Sequence, residues 1–179
     1  MVYLTESIGF SADQIIVFFM VTLLSSAPGT KFASYVTNWT NPNLSWQLSM
    51  VSLFLVLLIG SLTLTKDAEI FTYIWGVVIG FMLGWFYPTE NLFFSMCLPK
   101  GLEAELSGFF VYCTQILGWL PPLLFTILVE QGVSQNLGVV VAASILLIAA
   151  AVLRCAAPWD EIVAEANQHK QREDEESTP

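Results

Sequence analysis

"EIFTYIWGVVIGFMLGWFYPTENLFFSMCL", Glu69 to Leu98, carries a single charge, Glu90, between its opening glutamate and its end. As an α-helix at about 1.5 Å per residue it is longer than the ~30 Å hydrocarbon core of a bilayer. In lipid the backbone must satisfy its own hydrogen bonds, so an apolar run of this length reads as a membrane-spanning helix. Four more segments have the same character, from about Ser11 to Gly29, Trp46 to Leu64, Leu102 to Glu130 and Asn136 to Ala156. The expected fold is an all-α, five-helix, multi-pass membrane bundle over residues 11–157. A short segment, residues 1–10, precedes it and an acidic tail, residues 158–179, follows.

Composition agrees. The 179 residues are 55% hydrophobic and 12% charged, with a mean hydropathy of +0.67, too apolar for a soluble domain of this size. The net charge of −9 belongs largely to the tail, where seven of the fifteen acidic residues fall between Asp160 and Glu176. Six basic residues, unclustered, leave no footprint for nucleic acid. Cys97, Cys113 and Cys155 match no disulfide framework or zinc spacing, so they read as packing or lipid-facing residues and no metal is expected. The lone His169 lies in the tail, and there is no GxSxG, HExxH or phosphate-binding glycine loop. Neither an enzyme nor a cofactor is expected.

The N-terminus has no basic stretch ahead of its first apolar segment, so that segment is expected to be retained. The stretch "TKFASYVTNWTNPNLS", Thr30 to Ser45, reads as a loop from its Asn, Pro and Ser content. Five helices place this loop, the Pro99–Gly101 turn and the tail on one face with Lys31, Lys100, Arg154, Lys170 and Arg172. Only Lys66 lies on the other face, so the excess of basic residues puts the tail in the cytosol and residues 1–10 in a lumen.

Several positions inside the spans need an account. Gly76, Gly80 and Gly84 line one helix face at four-residue spacing, where a second backbone can approach closely. Pro88 removes a backbone donor beside Tyr87, Glu90 and Asn91, and a broken polar patch of this kind often lines a cavity. Glu90 reads as a proton acceptor or amine partner, or as a carboxylate tied to a tyrosine or to the backbone within the bundle. Tyr112, Gln115 and Trp119 share a face that suits either a transport pathway or packing, and Pro121 with Pro122 should break that helix. Glu103 and Glu105 follow the turn that holds Lys100. They fit a helix start, where the dipole favours negative charge, and they also fit a cytosolic gate.

Taken jointly, four elements resemble the late helices of the autophagy-related vacuolar amino-acid effluxer family, within the major facilitator superfamily. They are Gly84, Trp85, Tyr87 and Pro88; then Pro99 to Gly108 as P-K-G-x-E-A-E-x-x-G; then Gln115; then "WLPP", Trp119 to Pro122. The likeness runs from about Trp75 to Ser134. It implies the eighth to twelfth helices of a twelve-helix transporter that exports amino acids from a vacuole or lysosome to the cytosol. Tyr87, Glu90, Tyr112, Gln115 and Trp119 are then pathway candidates, and Lys100, Glu103 and Glu105 gate candidates. Gly76, Gly80, Gly84, Pro88, Gly108, Pro121 and Pro122 shape the helices. Partners are the bilayer, an amino-acid substrate and the N-terminal half of such a transporter or another membrane subunit, so the chain reads as the C-terminal part of that fold. The competing reading is a non-transporting adaptor whose helices anchor the acidic tail.

Sequons at Asn38 and Asn43 fall on the face assigned to the cytosol. Glycosidase treatment of the protein expressed in a secretory-competent cell should leave its mass unchanged; a glycan on either asparagine would reverse the orientation.

Overall fold

A computed structural model of the protein describes residues 9–64, 69–98 and 102–155 together with 159, 161 and 164. Six α-helices order these residues: α1 (Ala12–Trp39), α2 (Pro42–Thr63), α3 (Glu69–Cys97), α4 (Glu103–Leu117), α5 (Leu120–Glu130) and α6 (Gln135–Cys155). No strand occurs among the described residues. By length and composition they make five helices able to cross a membrane, because α4 and α5 together form one span.

The expected loop at Thr30 to Ser45 is not there. α1 continues to Trp39 and α2 starts at Pro42, so the connection shrinks to Thr40 and Asn41. Packing overrides the polar composition. Ala33 is buried, and Phe32 meets Phe81 and Trp85 of α3 with ring centroids 5.2 and 5.0 Å apart. The turn between the helices is sharp because each side is capped. The Thr40 N–H donates to the Val36 carbonyl at 2.9 Å, the Leu44 N–H donates to Asn41 Oδ1 at 2.7 Å, and Pro42 stands where α2 needs no donor.

α1 packs most extensively on α3, α2 lies between α3 and α6, and α5 packs on α6. The α1–α3 seam is made by glycine. A Cβ on Gly80 would run into the Thr22 carbonyl oxygen, one on Gly84 into that of Ser26, and one on Gly29 into that of Phe81. The two backbones therefore touch along one continuous face. Thr22 and Ser25, on the α1 side, return their hydroxyls to their own helix: Thr22 donates to the Phe18 carbonyl at 2.8 Å and Ser25 to that of Val21 at 2.7 Å. At the far end Phe10, Ile15, Phe18 and Leu64 form an apolar cluster closed by Tyr73 and Trp75.

α4 is the outlier. None of its residues, nor any of α5, is buried, and its ring contact with the bundle is Phe110 stacked on Phe94 at 4.1 Å. The break between the two helices falls at Gly118 and Trp119, just ahead of the proline pair. That places Pro121 and Pro122 in the opening turn of α5, where their missing N–H groups are not needed. α5 ends in a Schellman turn: Gly132 has φ of 84°, its N–H donates to the Val129 carbonyl at 3.0 Å, and the Val133 N–H donates to that of Leu128 at 3.0 Å.

The exterior suits lipid, with Leu23 and Leu24 of α1, Ile70 of α3 and Ile148 and Val152 of α6 all projecting from it. Replacing Gly84 with leucine should lower the unfolding midpoint in detergent, by overpacking of about 1–3 kcal/mol or more, since backbone cannot step aside as a side chain can. Gly108 has open space around its would-be Cβ. Gly108→Ala should leave the midpoint unchanged or raise it by the ~0.5–1 kcal/mol that glycine costs a helix.

Candidate functional site

The polar groups of this bundle converge where α1, α2 and α3 meet near the Thr40–Asn41 turn. Ser45, fully buried, sits in the first turns of α2 and accepts two hydrogen bonds at its Oγ. One comes from Thr37 Oγ1 at 3.1 Å and the other from the Trp85 indole N–H at 3.1 Å. Three helices are thus joined at one hydroxyl. Directly beneath, buried Thr89 donates to the Trp85 carbonyl at 2.8 Å, one helical turn back. The sequence hides this node because the Asn, Pro and Ser content around Ser45 reads as a loop; the signal lies in Asn41-Pro42, a cap followed by a helix-starting proline.

One residue further on, Trp46 packs between Phe86 and Phe93 of α3, with ring centroids 6.5 and 5.0 Å away. Its indole N–H is buried and finds no acceptor among the described residues. Phe93 also meets Trp159 at 5.4 Å, so the start of the tail comes back against the same end of α3.

Glu90 is half-buried on α3. At 3.6 residues per turn it falls between two ridges. One ridge, Phe86 and Phe93, faces Trp46 of α2, and the other holds Tyr87 and Phe94, the latter stacked on α4. Tyr87 itself is exposed, with its ring edge-on to Phe86 at 5.4 Å and its carbonyl accepting from Asn91 Nδ2 at 3.0 Å. Pro88 is accommodated within the helix without ending it.

The remaining candidates lie elsewhere. Tyr112, Gln115 and Trp119 are all exposed, and with Glu105 and Gly108 they recur at spacings of three and four from the start of α4 into the Gly118–Trp119 break. This stripe points away from Phe110, the side of α4 that meets α3. The fold therefore does not bring it together with Glu90. Glu103 and Glu105 are exposed in the first turn of α4, and Lys100 lies outside the described residues. No group of three His, Cys, Asp or Glu able to hold a metal ion occurs among the described residues.

Ser45→Ala should strand the buried Trp85 donor and the half-buried Thr37 donor and lower stability by about 1–3 kcal/mol, read as an unfolding midpoint in detergent. Adding Trp85→Phe should not add its own full cost, because the two residues share one bond. Compared with protein-family models, with curated proteins and with solved structures, the chain matches none.

Proposed function

We propose that this chain forms part of a membrane transporter of the vacuolar effluxer type, which releases amino acids from a vacuole or lysosome into the cytosol. The observation that carries the reading is the joint pattern of Gly84-Trp85-Phe86-Tyr87-Pro88, Pro99 to Gly108, Gln115 and Trp119 to Pro122, lying across the third and fourth spans. Two physical features support it. Glu90 is an ionisable side chain well inside a span, where carboxylates are rare and usually serve a pathway or proton relay. The α4 stripe exposes Tyr112 and Gln115 at membrane depth, and in lipid an amide without partners costs free energy that a polar cavity or a neighbouring helix would remove.

In this reading Glu90 holds the amine of the substrate or a coupled proton on the α3 side of α4, and Tyr112, Gln115 and Trp119 face further helices on its other side. Substrate in such transporters sits near the midplane between two bundles. The transporting unit then includes further helices that cover the α4 stripe, supplied by a longer chain or by a partner subunit. Glu103 and Glu105, at the start of α4, pair across that interface with basic groups as it opens and closes, and the tail faces the cytosol.

Vesicles prepared from the native organelle membrane, loaded with radiolabelled amino acids, test this. Those carrying the protein should release label faster than those lacking it, and Glu90→Gln should cut the excess rate by about tenfold or more with membrane insertion unchanged. Efflux independent of the protein would end the proposal. Loss of a cytosolic binding partner on removal of residues 160–179, with efflux unaffected by the protein, would favour the adaptor.

A further inference from the structure

An apolar groove of about 670 Å³ opens between α5 and α6 with Leu57 of α2 at its back. Its walls include Phe125, Val139, Ala142 and Leu146, and its floor on α5 begins at Pro121 and Pro122. The local sequence explains the space. α5 restarts after the Gly118–Trp119 break, and α6 turns small side chains, Ala142 and Ala143, toward it. Nearer the turn the helices converge, since a Cβ on Gly138 would sit 3.1 Å from the Phe125 ring.

Two polar side chains touch the groove. The Thr126 hydroxyl is already committed, donating to the Pro122 carbonyl at 3.0 Å. Glu130, the last residue of α5, is exposed at the rim. From Pro121 to Glu130 the groove runs about 14 Å, which is half the thickness of a bilayer core. It thus reaches from near the midplane to one headgroup layer, with a carboxylate at the headgroup end.

We infer that this groove holds the acyl chains of a phospholipid with a primary-amine headgroup, whose ammonium meets Glu130. A second helix would enter this open groove only by a ridge of side chains, and a copy of this chain docked there is an outcome that the test separates. Acyl chains are thin enough to enter. Within a bilayer, burial of apolar surface gives no preference for a lipid in the groove over one outside it. Selectivity must come from Glu130, and a primary ammonium offers three donors to a carboxylate where a quaternary one offers none. The inference needs only the membrane embedding of the helices and is independent of any transport activity.

The test is native mass spectrometry of the full chain in mild detergent, with an equimolar mixture of phosphatidylethanolamine, phosphatidylcholine and phosphatidylglycerol of identical chains. The protein should keep about one lipid, with ethanolamine favoured over choline roughly two- to fivefold, the scale of an exposed charge pair. Glu130→Gln should bring that ratio to parity, whereas Ala142→Phe, which fills the groove, should reduce retention of all three. Helix content by circular dichroism is the folding control, with Ala142→Leu as the milder replacement. Equal retention by the unaltered chain, a preference that survives Glu130→Gln, or a lipid-free dimer that Ala142→Phe dissociates would each overturn the assignment.

Discussion

The contact of the α1 and α3 backbones, made possible by Gly29, Gly80 and Gly84, is the constraint on which the rest of the bundle is built. Between helices in lipid there is no hydrophobic drive, so association comes from close van der Waals fit and from hydrogen bonds across the seam. The interior reflects this. Its most deeply buried side chains are Ser45, Ser49, Ser61, Thr72 and Thr89, small enough to let helices approach and polar enough to bond a carbonyl or one another. Outside the Phe10–Ile15–Phe18–Leu64 cluster and a few residues such as Trp85, Met50 and Leu53, many large apolar residues face outward, an arrangement that suits an apolar solvent.

From that seam the remaining helices are added in sequence. α2 is tied to it at two points: the Ser45 hydroxyl, which receives Thr37 and Trp85, and the Val56 carbonyl, which receives the Trp75 indole N–H at 3.1 Å. Gly60 leaves room for that second indole, since a Cβ there would enter the Trp75 ring. α6 then lies on α2, and α5 on α6. α4 stands outside this order, meeting α3 and held by little more than the Phe94–Phe110 stack. A graded bundle of this kind should open first at α4 and last at the glycine seam.

The spans and the glycine stripe were legible in the sequence for a physical reason: bilayer thickness fixes the length of an apolar run, and glycine at four-residue spacing can serve only a close approach or nothing. The Thr30 to Ser45 stretch reads as a loop because Ser, Thr and Asn are loop formers when water competes for the backbone. Here their hydroxyls are spent within the bundle: exposed Thr30 donates to the Ser26 carbonyl of its own helix at 3.2 Å, and Thr37 reaches Ser45 on the neighbouring helix. Burial of Gly29 and Ala33 against α3 holds the helix together through this region. Convergence of side chains from different helices cannot be read from spacing within one helix, so the Thr37–Ser45–Trp85 node was invisible beforehand.

The same limit applies to the candidate site. Helical spacing groups Tyr112, Gln115 and Trp119 on one face, although Trp119 falls in the break that follows α4, and it says nothing about what that face meets. Within this bundle α3 takes the opposite side of α4 and leaves the stripe uncovered. Glu90 and Gln115 therefore stand in different surroundings: Glu90 on the seam between the α2-facing and α4-facing ridges of α3, and Gln115 exposed on the far side of α4. A pathway built from both requires that α4 form the boundary between the two, with Phe110 on one side and Gln115 on the other. Its position at the edge of the bundle, with Gly108 open to a close approach, is what such a boundary helix needs.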